Sequence, residues 1–319
     1  RPGKAQGIPA TELHAEWQTQ AASIGFPTRT LDTHHLHTPT PAIEVDERAV
    51  AAEALRLVSE ESATWLPADL ARHITTLLPP QAAHTATELV AVVDRITAMA
   101  LERCVELHPT LTGALRRDGR PVAEHVTDRH LTTREVLAQE QRLQDWARTH
   151  AHGPPTDIED PQTEAARAIA GTSTLVVVVG PAGTGKTHTT ARAIQDLHAQ
   201  GRTVVGLAPS GKAADVLHHE AGCPTDTLAG FLTRHHHQPA SPWPVGTTII
   251  LDEAGMATTA DLAQLASLVR RNHWRLVTIG DPAQLPPVGR GGTFAHWIDT
   301  IPHHQLDTPR RFHEPWEAA

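Results

Sequence analysis

The spacing of apolar positions changes near the middle of the chain, and the predicted elements change with it. In the first half the spacing is helical. Residues 51–59 (AAEALRLVS) put Ala54, Leu55 and Val58 on one face. Residues 68–78 repeat the pattern, and 86–102 carry Leu89, Val92, Val93, Ile96 and Met99 on one stripe. LTTRE at 131–135 sets a threonine cap ahead of a glutamate and opens a helix running to about Thr149. DGRP at 118–121 is a turn signal, and HAHGPP at 150–155 is the linker into the second half. The Pro- and His-rich stretches 34–41 and 235–244 are expected to be loops. From Thr174 onward, apolar β-branched runs predict strands at 174–179, 203–208, 247–251 and 275–280. Helices are expected between them, from 186 to about 200, at 211–220 and at 261–271. Strands alternating with helices imply right-handed crossovers and a parallel sheet. The expected organisation is a mainly helical region over 1–155 followed by an α/β domain over 156–319.

The chemistry sits at the ends of these strands. GPAGTGKT (180–187) matches the phosphate-binding pattern G-x-x-x-x-G-K-[ST] and lies between a buried strand and a helix, the context that mechanism requires. It predicts a P-loop NTPase of RecA-like, doubly covered parallel-sheet type. Its glycines let backbone N–H groups face phosphate oxygens, Lys186 reaches the β- and γ-oxygens, and Thr187 ligates Mg2+. The predicted ATP-binding set is Gly180, Gly183, Thr184, Gly185, Lys186, Thr187 and His188. The third strand delivers Asp252 and Glu253, one to hold Mg2+ and the other to polarise the attacking water. An acidic turn after a strand is the plainer account, and the neighbouring P-loop weakens it. The fourth strand ends in GDPAQ, which brings Gln284 to the carboxyl edge of the sheet, where ligands bind in open α/β folds. There a neutral amide can sense a γ-phosphate, although a solvated loop glutamine fits equally well.

Together with LAPSGKAADVL (207–217), DTLAGFL (226–232), LDEAGM (251–256) and GDPAQLPPVGRGG (280–292), this order resembles superfamily 1 DNA helicases of the 5′-to-3′ class. The resemblance covers residues 158–314. It implies that Gln162 reads the adenine, that Pro209, Ser210, Lys212 and Thr227 lie along single-stranded DNA, and that Arg311, with Arg310 beside it, contacts the γ-phosphate. Ser210 stands where many relatives have threonine and keeps the hydroxyl. LHAEWQTQAASIGFP and LTTREVLAQEQRLQDWA further resemble the segment joining relaxase and helicase in MobF-type conjugative relaxases. The implied partners are single-stranded DNA and a second RecA-like domain. Without that domain the polypeptide is expected to bind nucleotide, hydrolyse it poorly and unwind nothing. The missing initiating Met suggests a chain cut from a longer protein.

Composition narrows this reading in three ways. The formal net charge of −9, from 27 basic and 36 acidic residues, argues mildly against nucleic acid in general but leaves room for a local groove. The absence of tyrosine means that strand nicking by a tyrosine cannot reside here. Two cysteines, Cys104 and Cys223, form no disulfide framework, and no apolar run approaches the ~20 residues of a membrane span, so a cytoplasmic setting is expected. His35-Leu36-His37 and His235 to His237 read as polar loops rather than metal ligands, and both cysteines read as structural. Trp17, Trp65 and Trp146 sit in helical patterns and are expected to pack there rather than stack on bases. Two other classes stay open: a catalytically silent module that only holds single-stranded DNA, and a P-loop ATPase acting on protein.

Overall fold

The computed structural model describes residues 10–25, 43–107, 130–155, 160–181, 183–237 and 242–306. The first half forms α1 (Ala10–Ser23), α2 (Glu47–Glu61), α3 (Pro67–Leu77) and α4 (Ala86–Leu101), then β1 (Cys104–Leu107), β2 (His130–Thr133) and α5 (Arg134–His150). Strands and helices then alternate through α6 (Pro161–Ala170), β3 (Leu175–Val179), α7 (Lys186–Ala199), β4 (Val204–Ala208) and α8 (Gly211–Ala221). They continue with β5 (Thr225–Thr227), α9 (Leu228–His237), β6 (Thr248–Leu251), α10 (Thr259–Asn272), β7 (Arg275–Gly280), α11 (Thr293–Thr300) and β8 (His304–Gln305). Two compact units result, one of residues 1–45 and 78–92, the other of 46–77 and 93–319.

In the smaller unit, the start of α4 is written in its own sequence. Thr85 Oγ1 accepts the Glu88 N–H at 3.1 Å and the Glu88 carboxylate accepts the Thr85 N–H at 3.2 Å, a reciprocal cap that satisfies two otherwise orphan donors. In the larger unit Asp46 caps α2 by accepting the Ala49 N–H at 3.0 Å. Thr133 caps α5 by accepting the Val136 N–H at 3.2 Å, as its position before the helix predicts. Helix α2 buries Ala51, Ala54, Leu55 and Val58, the face its spacing foretold. Trp65 is buried and exchanges backbone hydrogen bonds with Leu131 at 3.0 and 2.8 Å, joining the α2–α3 connection to β2.

The main sheet has six strands in the order β5-β4-β6-β7-β3-β8, every pair parallel. Because side chains alternate along a strand, each continuous apolar run feeds two cores. Val177, Leu207, Ile249 and Leu276 pack on one face with Leu143 of α5, Phe231 of α9, Leu262 and Leu265 of α10 and Trp297 of α11. Val176, Val178, Ile250 and Val277 pack on the other with Ile169 of α6, Ile194 and Leu197 of α7 and Leu217 of α8.

Two arginines fasten α6 to the opposite edge of the sheet from the phosphate loop. Arg275 is buried and donates to the carbonyls of Ser173 (2.8 Å), Ile169 (3.0 Å) and Ala168 (3.3 Å) and to Thr248 Oγ1 (3.1 Å). Arg202 donates to the carbonyls of Gly171 (2.5 Å) and Ala170 (3.2 Å). Both cations therefore sit on the carbonyl end of α6, where the helix dipole favours positive charge.

Three sequence expectations are corrected or fall outside the described residues. Residues 235–237 are not loop but the last turn of α9. His235 there is buried, with its ring 4.2 Å from that of Phe231 and 5.6 Å from that of Trp274, so apolar packing overrides its polar character. Cys104, which the sequence places in a helical pattern, opens β1 instead. The turn at 118–121, the stretch 34–41 and Arg310 with Arg311 lie outside the described residues. Of the three tryptophans, Trp65 is buried and Trp146 packs against Trp297 at 6.3 Å between centroids, whereas Trp17 is exposed. No described helix is long and apolar enough to cross a membrane.

Candidate nucleotide site

The phosphate loop begins where β3, buried on both faces, runs out of partners. Its first residue, Gly180, donates its N–H to the Gly280 carbonyl at the end of β7, 3.1 Å away. The loop then turns back through Gly183 and Gly185, with φ of +84° and +83°, a region where an L side chain is strained. Gly185 also lies so close to Gln162 that a Cβ would stand 2.6 Å from Nε2. As the residue ahead of α7 it offers no side-chain cap, which leaves the first amides of the helix aimed into the loop. Thr184 Oγ1 donates to the Pro181 carbonyl at 2.9 Å and steadies the turn. Lys186 folds its ammonium back onto the Gly180 carbonyl at 2.7 Å, inside the loop. Thr187 and His188 are exposed on the first turn of α7. Gln162, in the first turn of α6, donates from Nε2 to the Thr184 carbonyl at 2.8 Å, so this expected adenine contact is tied to the loop.

Asp252 follows β6 and extends its ladder by donating its N–H to the Leu207 carbonyl at 2.9 Å. Its Oδ1 accepts the Glu253 N–H at 3.0 Å. Burial pushes the Asp252 carboxyl up to about 6, the neighbouring Glu253 charge pushes the same way, and the Lys186 ammonium opposes them. Glu253 itself adopts a left-handed backbone, φ +51° and ψ +44°, just before a short 3₁₀ turn at Ala254–Met256. A non-glycine residue held there stores strain of about 1–3 kcal/mol. The strand neighbour β7 closes against this turn. A Cβ on Gly280 would stand 3.1 Å from the Ala254 nitrogen and 3.2 Å from that of Gly255. Gln284 is half-buried in the next loop, its N–H donating to the Asp281 carbonyl at 3.2 Å.

Pro209, Ser210 and Lys212 follow β4, and Thr227 ends β5, which pairs Thr227 with Ala208. They share the carboxyl edge of the sheet with the phosphate loop. Ser210 Oγ already accepts the Ala213 N–H at 3.2 Å and Thr227 Oγ1 the Gly230 N–H at 3.1 Å, so each hydroxyl keeps its own proton to donate outward. Lys212 is exposed. Sequence reasoning did not single out Arg290, Gln139 or Glu140.

The donor set suits a hard divalent cation and a polyphosphate: open helix amides, an ammonium, a hydroxyl and one carboxylate that two neighbouring charges tune. Replacing Asp252 by asparagine tests the tuning. A carboxyl whose folded value of about 6 exceeds the ordinary 3.8 stabilises the fold fully below pH 3.8, and that contribution is lost as pH rises through 6. The Asp252→Asn protein without nucleotide should therefore melt higher than wild type at pH 7.5, by about 1–2 kcal/mol once solvent screening is allowed for, and identically at pH 3.5. Thermal melts at the two pH values check it, and lower stability at pH 7.5 refutes the electrostatic account.

Comparison with known proteins adds to this geometry. Residues 157–319 match the family model described as AAA domain. The chain belongs to the AAA-domain family. Among curated relatives, a probable conjugal transfer protein TraA of Sinorhizobium fredii is 30% identical over 317 residues, covering 89% of this chain and 28% of that protein. The ATP-dependent RecD2 DNA helicase of Deinococcus radiodurans is 30% identical over 275 residues, covering 76% of this chain and 35% of the helicase. The chain thus spans about a third or less of the length of these two relatives. Among solved structures, Pif1 helicase from Candida albicans aligns at 20% identity with a TM-score of 0.36 over 48% of this chain and 40% of that one. The AAA domain here is a helicase-like P-loop domain related to TraA and RecD2 proteins.

Proposed function

We propose that this chain is the ATP-binding motor domain of a DNA helicase, coupling Mg-ATP hydrolysis to movement along single-stranded DNA in cytoplasmic plasmid conjugation or mobilisation. The observation that carries the reading is that the phosphate loop with Lys186 after β3 and the Asp252–Glu253 step after β6 share the carboxyl edge of one parallel sheet, near enough for the Lys186 charge to oppose in part the burial that raises Asp252. A bound Mg-ATP would supply the electrophilic γ-phosphate and the charge-neutralising cation. The chain's own residues would do the rest. The amides of the phosphate loop and the Lys186 ammonium bind the phosphates, Thr187 and Asp252 hold the metal, and Gln162 orients the base. Glu253 takes the proton of the attacking water, and Gln284 reads the γ-phosphate. Pro209, Ser210, Lys212 and Thr227 bind the strand along the same edge, so that nucleotide state and DNA grip share one rigid border. A second RecA-like domain, with Arg311 at the approach to it, would complete the cleft whose closure moves the strand.

Calorimetry of Mg-ATP binding, with and without a single-stranded oligonucleotide, tests the proposal. Nucleotide binding whose affinity shifts when DNA is present supports a motor domain. DNA binding without nucleotide binding identifies a silent DNA-holding module instead. Nucleotide binding with no salt-sensitive affinity for the oligonucleotide points to an ATPase acting on protein.

A further inference from the structure

The loop between β7 and α11 is anchored at both ends and open between them. Asp281 and Arg290 are the buried residues of 281–290. At the first anchor the Asp281 carboxylate accepts the Ala283 N–H at 3.0 Å. The Asp281 carbonyl lies 3.1 Å from where a Cβ on Gly255 would be, two residues past Glu253. The second anchor reaches outside the parallel sheet. The Arg290 N–H donates to the Glu60 carbonyl at the end of α2 (2.8 Å), and its carbonyl accepts the Thr259 N–H at the start of α10 (2.8 Å). Its guanidinium pairs with Glu140 of α5 at 3.1 Å and donates to the Gln139 side chain beside it. Gly289, at φ +114°, lies flat enough on α2 that a Cβ would stand 3.0 Å from the Glu60 carbonyl. Between the anchors Gln284 is half-buried and Leu285 and Val288 are exposed.

A segment pinned at two points takes the position of its middle from both. The backbone bonds of Arg290 already hold the chain to α2 and α10, so its side chain adds a separate tie to α5. Folding alone does not call for that tie. A buried guanidinium facing a half-exposed carboxylate loses much of its Coulomb gain to desolvation, and an apolar side chain of similar length commonly packs as well. What arginine adds is a forked, geometrically fixed link to two side chains at once.

We infer that Arg290 is a positioning residue for Gln284, through which α2 and α5 set how strongly the site prefers a nucleoside triphosphate over a diphosphate. This rests on the nucleotide reading above. The test measures binding of ADP and of a non-hydrolysable ATP analogue, each with Mg2+, to the full chain and to Arg290→Met, Glu140→Gln, Gln284→Ala and Arg290→Met/Gln284→Ala. Arg290→Met is expected to bind ADP as wild type does while its preference for the triphosphate falls about tenfold. Glu140→Gln, at the half-exposed end of the tie, should move the same way by less. The double variant should be no worse than Gln284→Ala, because both changes remove one interaction. Wild-type preference in Arg290→Met and Glu140→Gln, or equal loss of both nucleotides with a lowered melting temperature, overturns the inference while leaving the nucleotide site standing. A wild-type chain that binds neither nucleotide overturns the site and this inference with it.

Discussion

Lys186→Ala should weaken Mg-ATP binding at least about a hundredfold, equivalent to about 2.7 kcal/mol, while leaving the melting temperature within a degree or two of wild type. Two effects add. The ammonium is lost as a charged donor to the phosphates, and a hydrogen bond to a charged group contributes about 1.5–3 kcal/mol. The second effect runs through Asp252, whose carboxyl is kept down only in part, by the Glu253 N–H and the Lys186 charge, against burial and the Glu253 charge. Without Lys186 it rises further, so more of it is protonated near neutrality and less can hold Mg2+. Raising the pH in titrations of Lys186→Ala should therefore recover part of the Mg2+ dependence but none of the phosphate contact. Stability falls only slightly, because the bond lost is that from Nζ to the Gly180 carbonyl in an open loop and the Lys186 charge is among the smaller influences on Asp252. Calorimetry across pH 6 to 9 reads both effects, and unchanged affinity in the variant would remove Lys186 from the site.

Arg275→Met is expected to act in the opposite sense, lowering stability by about 2–5 kcal/mol with no direct effect on nucleotide contacts. Arg275 is buried, and burial with Arg202 nearby brings its guanidinium down to about 10. Among the described residues its partners are three carbonyls and one hydroxyl, with no carboxylate. Methionine fills the volume but strands the Ile169 carbonyl in the last turn of α6 and the Ser173 carbonyl after it, while the Ala168 carbonyl keeps the Gly171 N–H, and each unsatisfied buried acceptor costs about 1–3 kcal/mol. Since α6 also carries Gln162, chemical denaturation should show the large loss directly, and any weakening of ATP affinity should scale with the unfolded fraction. A midpoint unchanged in urea would mean that water replaces the arginine.

The core of the candidate nucleotide site is legible because its signals are local. A β-branched run, a glycine-rich turn and a helix start at Lys186 lie within a dozen residues, and the TIIL-Asp-Glu step repeats the logic one strand over. The legible part of the helical half was likewise local, as with Thr133 ahead of α5. What failed depends on partners distant in sequence. His235 looks polar in isolation, and the ring of Trp274, 5.6 Å away and just ahead of β7, joins that of Phe231 one helical turn back to make it a core residue. Strand β5, three residues long, exists because β4 pairs with it and has no periodicity to display. Arg290 gave no sign of its tie to Glu140, which lies 150 residues earlier in the chain.

The left-handed backbone of Glu253 makes the proposed base easy to lose. Glycine tolerates that conformation freely, so Glu253→Gly relieves about 1–2 kcal/mol of strain and also removes a charge that raises Asp252. A mutant library sorted by expression yield or heat resistance would accordingly enrich a well-folded chain that has lost its base, while discarding changes at Arg275. Only sorting on turnover would keep the glutamate.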